Sequence, residues 1–207
     1  MKDNQNTIIR RRYNRISRIF DLMERMIKKE WRVDLLNGLH GEVLEVGVGT
    51  GANLPFYAKP VSAVTGIDFS PGMLRYAKVK AQHSELPITL LEMDAQCMDF
   101  PDNTFDYVIV TCVFCSVPDP DAGFKEIRRV CKPEGKVLLL EHMRSEQPFI
   151  GVLMDILNPL AVRMSGANIN RRTLRNIELA GFVIKENKSL MGSIMRRLVL
   201  SPNKTEL

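Results

Sequence analysis

Three glycines at alternating positions, Gly47, Gly49 and Gly51, follow the apolar run Val43-Leu44-Glu45-Val46, which places the carboxylate of Glu45 just ahead of them. Glycine lacks a Cβ and tolerates positive φ, so this spacing suits a turn whose backbone comes close to a ligand. A helix from about Asn53 would aim its free amides at the same place, where they favour a carboxylate or phosphate. A second acid, Asp68, ends the run Val64-Thr65-Gly66-Ile67 and is suited to hold two ribose hydroxyls. A third, Asp94, follows Ile88–Glu92, and Thr111 and Cys112 follow Phe105–Val110. The chemistry implied is recognition of a nucleoside-type ligand. The glycine spacing is G-x-G-x-G, not the dinucleotide fingerprint G-x-G-x-x-G.

Two other groups could act. Cys112-Val113-Phe114-Cys115 has the C-x-x-C spacing of metal and redox sites, but zinc needs two further ligands at comparable spacing. Cys97 and Cys131 are isolated, and His40, His83 and His142 form no cluster, so no metal is expected. The cysteine pair reads instead as small pocket-lining residues. His142, at the end of Lys136–Glu141, either takes up a proton near neutral pH or only orients a loop.

From Gly41 to Met143 the ordered series of glycines and strand-end acids resembles the class I S-adenosylmethionine (SAM) dependent methyltransferases. The resemblance implies SAM as cofactor and S-adenosylhomocysteine as product. Gly47, Val48, Gly49 and Gly51 match the loop over the methionine end, with Glu45 the acid of the first strand. Asp68 matches the ribose-binding acid, with Phe69 against one adenine face and Met73 nearby. Asp94 and Ala95 match the pair near the adenine amino group, and Thr111 and Cys112 the floor beneath the sulfonium. Tyr13-Asn14-Arg15-Ile16, Cys115–Pro120, Leu140-Glu141-His142 and Gly166–Thr173 together look like a subgroup holding bacterial phospholipid N-methyltransferases and relatives of the animal thiol S-methylating enzymes. A broader likeness reaches the ubiquinone and menaquinone C-methyltransferases. Phe20 departs from the tyrosine that many relatives carry. The acceptor is assigned to Tyr13, Phe20, Cys115, His142, Met154, Arg163, Asn168 and Arg171, with His142 the candidate catalytic base.

The elements that must position these groups alternate strand and helix from Gly41, which implies parallel strands with crossover helices. Ser70 is suited to cap a helix with Pro71 at its first position. Lys132-Pro133-Glu134-Gly135 reads as a turn, Asn170 as the cap of a helix through Ala180, and Gly181 as its C′ glycine. Phe182–Ile184 and Met195–Leu200 read as an antiparallel pair at one sheet edge, with a frayed tail from Ser201. The expected fold is α/β, a Rossmann-like, doubly wound, seven-stranded, mostly parallel sheet over residues 41–207, behind a helical N-terminal extension at 1–40.

Two segments lie outside that plan. Ile9, Tyr13, Ile16, Phe20, Met23, Ile27 and Trp31 recur every three or four residues, as in an amphipathic helix or two helices broken near Ser17–Asp21. Its other face is basic: residues 1–40 carry ten Lys/Arg against five acids, a surplus equal to the +5 of the whole chain. A lid, a helix packed with a solvated basic face, and a helix drawn to anionic lipid are the competing readings. Residues 145–169 are apolar almost all round and interrupted at Pro159 and Gly166, as suits either an apolar helical cap on the acceptor pocket or a buried helix.

A chain of 207 residues, 45% hydrophobic and 26% charged, has the composition of one soluble globular domain. No apolar run approaches the ~20 residues that span a bilayer, the polar start is not a signal peptide, and four cysteines are too few for a disulfide scaffold. The expectation is a cytoplasmic protein with peripheral contact to anionic membrane at the inner face, no nucleic acid and no obligate protein partner. Its expected reaction is methyl transfer to a lipophilic acceptor. A phosphatidylethanolamine-type amine comes first, a small lipophilic thiol or quinone-like ring next. A NAD-linked oxidoreductase and a silent nucleoside-binding module are the readings outside this class.

Overall fold

The computed structural model describes residues 2–24 and 27–204, without the side chains of residues 2–6, 19, 21–24, 164 and 165. Arg25 and the side chains of Met23 and Met164, which entered the sequence patterns above, lie outside the described residues.

Seven strands form one sheet: β1 (Gly41–Val46), β2 (Val61–Asp68), β3 (Ile88–Glu92), β4 (Phe105–Thr111), β5 (Cys131–His142), β6 (Val183–Met191) and β7 (Met195–Ser201). Their order is β3-β2-β1-β4-β5-β7-β6, with β1 to β5 parallel and β7 antiparallel to both β5 and β6. This is the expected doubly wound sheet with its antiparallel edge pair. Chain order reverses between β1 and β4, and the crevice beyond the carboxyl ends of those strands is where open α/β sheets bind ligands.

The strands are apolar on both faces because both are covered. Leu44, Val46, Val108, Val110 and Leu139 pack on one side with Phe124 and Ile127 of α4 (Pro120–Val130) and Ile177 of α6 (Thr173–Leu179). The alternate residues Val43, Ile109, Leu138 and Leu140 pack on the other with Leu35 and Leu36 of α2 (Lys29–Leu36) and Leu74 and Ala77 of α3 (Pro71–Ala81). The period of two along each strand thus divides one set of residues between two cores.

Local signals account for most boundaries. Ser70 caps α3, its hydroxyl accepting the Met73 amide at 3.2 Å with Pro71 in the first turn, and Asp119 caps α4 through the Ala122 amide. Gly181, at φ +84°, follows α6. Other expectations need correction. The N-terminal helix α1 (Lys2–Glu24) runs unbroken through Ser17–Asp21, and the next, α2, opens at Lys29. Residues 132–135 are absorbed into β5 as an irregularity in its pairing with β4. Asn170 caps nothing: its amide donates to Asp155, and α6 starts at Thr173. The tail is held as far as Lys204, the last described residue, whose ammonium donates to the carbonyls of Arg129 and Cys131. Pro159 sits inside α5 (Pro148–Ser165) without ending it, and only Gly166, at φ +82°, does so. Among the described residues no helix is long and apolar enough to cross a membrane.

Candidate functional site

The carboxyl ends of β1, β2 and β4 open on a cavity of about 940 Å3. Its glycine turn is shaped by three different demands. All three glycines have positive φ: +68° at Gly47, +55° at Gly49 and +79° at Gly51. A Cβ on Gly47 would lie 2.4 Å from Val113, and one on Gly51 would meet the Ala77 backbone of α3 at 3.1 Å. Gly47 and Gly51 therefore let other parts of the protein pack close. A Cβ on Gly49 meets nothing nearer than Phe20 at 3.6 Å, and Gly49 lines the cavity. Gly49 is the glycine that keeps the cavity open.

Asp68 locks this turn to β2. Its Oδ2 accepts the Gly49 amide and its Oδ1 the Ser70 amide, each at 2.9 Å, leaving further lone pairs on both oxygens. Burial pushes the Asp68 carboxyl up to about 6, against the two amides that pull it down. On the β3 side, Gln96 clamps Asp94, its side-chain amide reaching Oδ1 at 2.9 Å and Oδ2 at 3.0 Å.

Beneath the glycine turn lies a polar network that sequence reasoning did not find. Asn53 donates to Oε1 of Glu45 at 2.9 Å and to the Thr111 hydroxyl at 3.0 Å. Its own carbonyl accepts from Arg32 at 2.6 Å, and Tyr57 donates to Oε2 of Glu45 at 2.8 Å. Arg32, Glu45, Asn53 and Tyr57 are all buried. The burial of Tyr57 and the nearby Glu45 carboxylate hold its phenol well above the ordinary range. Four elements thus fix the cavity floor through side chains, a tertiary arrangement with no signature in local spacing.

The roof comes from α1 and from the loop after β4. Tyr13 and Phe20 line the cavity from α1, and the Tyr13 ring stands edge-on to Phe69 at 6.3 Å and to Phe20 at 6.0 Å. The Tyr13 hydroxyl is bonded to that of Ser116, and burial raises its pKa. Asn14 fixes the helix in place, its Oδ1 accepting from the Ser70 hydroxyl and the Gly72 amide, both at 2.8 Å. Cys112 adopts φ +53°, a costly conformation for a residue with a Cβ, and so turns the chain sharply off β4. The loop that follows rests on Glu141, whose Oε1 accepts the amides of Val113 at 2.7 Å and Phe114 at 3.1 Å. Burial pushes the Glu141 carboxyl up to about 7 and the Cys115 thiol up to about 12, so Cys115 stays a neutral thiol.

Of the residues assigned to the cofactor, Glu45, Gly47, Val48, Gly49, Asp68, Phe69, Met73, Asp94, Ala95, Thr111 and Cys112 line this cavity, and Gly51 stands behind it. Of those assigned to the acceptor, Tyr13 and Phe20 do; Cys115, His142, Met154, Arg163, Asn168 and Arg171 are not part of the lining. Asn168 and Arg171 instead hold the loop after β4 from outside, donating to the carbonyls of Cys115 at 3.1 Å and Val117 at 2.6 Å. Burial lowers the pKa of the His142 imidazole. Strand alternation sends it to the face opposite Glu141, which is the strand-end residue that reaches the loop. The lining also includes Arg32, Asn53, Gln96, Val113 and Ser116, none of them anticipated.

A scan against protein families matches residues 44–139 to the methyltransferase domain. The chain carries a methyltransferase domain. The match spans β1 to β5 up to Leu139, the part that builds the cavity floor. The chain is 45% identical over 120 residues to a phosphatidylethanolamine N-methyltransferase of Cereibacter sphaeroides, covering 56% of this chain and 59% of that protein. It is 35% identical over 144 residues to a demethylmenaquinone methyltransferase of Staphylococcus haemolyticus, covering 66% and 59%. It is 31% identical over 154 residues to the thiol S-methyltransferase TMT1B of Rattus norvegicus, covering 71% and 63%. The chain therefore spans about three fifths of the length of the curated relatives it matches. Among solved structures, a putative methyltransferase from Bacillus halodurans shares the fold with a TM-score of 0.67 and 17% identity, over 83% of this chain and 94% of that one. The cofactor of this class is SAM, and the methyltransferase domain fits it: the space above Gly49 and the spare lone pairs of Asp68 suit a nucleoside.

Proposed function

We propose that this chain catalyses SAM-dependent methyl transfer to a lipophilic acceptor, with the amine of a phosphatidylethanolamine-type phospholipid as first choice. The observation that carries the proposal is the two-sided cavity, polar at the floor through Asp68, Asp94 and Thr111 and apolar at the roof through Tyr13, Phe20, Val113 and Val117. The 45% identity to a phosphatidylethanolamine N-methyltransferase supports the choice of acceptor.

SAM supplies an activated methyl group on a sulfonium. The protein's part is to hold, align and keep dry. In this reading Asp68 accepts the ribose hydroxyls, Asp94 and Ala95 meet the adenine amino group, and Gly49 leaves room for the methionine end. Thr111 and Cys112 form the floor under the reacting carbon. Residues 1–40 serve as a lid, with Tyr13 and Phe20 of α1 closing the cavity and excluding water. The amine, once its ammonium proton has passed to water, would attack the methyl carbon as the carbon–sulfur bond breaks and S-adenosylhomocysteine leaves; solvent suffices as the base, and His142 is dropped from that role. The proton lost from the product amine passes to water.

Thiol S-methylation is the second reading, favoured by the likeness to TMT1B, and ring C-methylation the third, favoured by the likeness to the demethylmenaquinone enzyme. Melting shifts with SAM, S-adenosylhomocysteine and NAD test the cofactor. A shift with NAD alone overturns it. A panel of phosphatidylethanolamine, an alkyl thiol and a quinol, each with methyl-labelled SAM, then tests the acceptor.

A further inference from the structure

Helix α5 is amphipathic the wrong way round. Phe149, Val152, Leu153, Ile156, Leu157 and Leu160 recur at intervals of three and four, and all are exposed, Phe149 by 84%, Ile156 by 68% and Leu160 by 58%. At 100° per residue they occupy a sector about 140° wide on one face. The opposite face carries Asp155 and Asn158 and turns them toward the protein. Asp155 there takes a bidentate ion pair from Arg144, and Asn158 accepts the Ile169 amide at 2.9 Å. Met154, buried, accepts the Ser145 amide through its sulfur at 3.4 Å. The polar side latches the helix down and the apolar side is left in water, which is unfavourable. Contiguous exposed apolar surface on this scale marks an interaction site.

The surroundings say what covers it. The only charged side chains of α5 are Asp155, paired inward, and Arg163, which is exposed in its last turn. Beside the other end of the helix a second cavity of about 610 Å3 is lined by Arg144, Arg171, Arg172 and Arg175, with Glu146 its one acid. Glu146 is paired with Arg196. The Thr173 hydroxyl in this lining is 1% exposed and has no hydrogen-bond partner among the described residues. An apolar stripe with basic groups at both ends complements an anionic lipid surface: acyl chains against the stripe, phosphates against the arginines.

We propose that α5 is the face by which this protein docks on an anionic bilayer, its exposed stripe entering the boundary between headgroups and acyl chains. The assignment concerns a surface away from the cavity and stands whichever acceptor the cavity takes.

The test is co-sedimentation with vesicles of mixed phosphatidylcholine and phosphatidylglycerol, with phosphatidylcholine alone as the neutral control. The parent should bind the anionic vesicles. Ile156→Ser/Leu160→Ser should lower the partition by about tenfold or more, with melting temperature and SAM binding unchanged because both side chains are exposed. A parent that does not bind, or a double variant that binds as well as the parent, overturns the proposal. A parent that is dimeric in light scattering while the variant is monomeric also overturns it, because the stripe then closes on a second copy. Vesicle binding without lipid methylation would sink the acceptor reading and leave the docking face standing, whereas methylation of phosphatidylethanolamine in mixed micelles without vesicle binding would do the reverse.

Discussion

The Gly49 amide donates to Oδ2 of Asp68 across 2.9 Å, so the glycine turn after β1 and the acid at the end of β2 are one structural unit. With the Ser70 amide on Oδ1, the same carboxylate shapes the turn, starts α3 and retains lone pairs toward the cavity. The placement of a ligand thus depends on a group that also supports the fold.

Because burial raises the Asp68 carboxyl to about 6, two pH effects are expected. Its ordinary value is near 3.8, so its contribution to folding stability is fully present below that pH and is lost as pH rises through 6. Affinity for SAM should run the other way, rising toward pH 6 and levelling above it, because ribose hydroxyls donate to the ionised form. Asp68→Asn should flatten both profiles. Asp68→Ala should weaken SAM binding by ~1.5–3 kcal/mol and also lower the melting temperature, since two amides lose their acceptor. Calorimetry across pH, beside melting curves, reads both.

Gly47 and Gly49 should respond differently to a methyl group. Gly47→Ala drives a Cβ into Val113 and should cost several kcal/mol of stability, partly restored by Val113→Ala. Gly49→Ala brings its Cβ only into ordinary contact with Phe20 at 3.6 Å, so its stability cost should be only the ~1–2 kcal/mol of a left-handed residue. Its SAM affinity should fall far more than that cost implies. Equal loss of stability in the two variants would contradict the distinction.

Much of this was legible in the sequence because it depends on local chemistry. Apolar runs, Ser70 before Pro71, and Gly181 after a helix each carry their own physical cause, and together they give the sheet, the α3 cap and the end of α6. What was not legible depends on direction or on distance along the chain. The composition of Phe149–Leu160 shows that it is apolar, but not that its polar side faces inward. His142 stood out as an ionisable group at a strand end, yet strand parity gives contact with the loop after β4 to Glu141. Arg32 meets Asn53, and Asn53 and Tyr57 meet Glu45, only after β1, α2 and the turn at Leu54–Phe56 have packed.

Glu141 makes a separate prediction. Its carboxyl is raised from 4.5 to about 7 by burial, so its contribution to stability should be full below about pH 4.5 and be lost as pH rises through 7. One carboxyl oxygen, Oε2, has no hydrogen-bond partner among the described residues. Glu141→Gln keeps an acceptor for Val113 and Phe114 and cannot ionise. The parent's melting temperature should fall relative to the variant's between pH 5 and about 8. Parallel curves would show that the charge is compensated in some other way.

Asn14 joins α1 to the start of α3 through two hydrogen bonds. Asn14→Ala should loosen the helix by ~1–3 kcal/mol, enough to speed proteolysis within α1 several-fold while the sheet melts as before. If α1 is the lid, SAM affinity should fall with it, and added SAM should restore protection.

The most direct measurement is a single turnover, with enzyme in excess over methyl-labelled SAM and phosphatidylethanolamine presented in mixed micelles. The account predicts label in N-methylated lipid, with one S-adenosylhomocysteine formed for each methyl transferred, and loss of both in Asp68→Ala. Intact SAM at the end of the reaction, or S-adenosylhomocysteine with no label in the lipid, would contradict it.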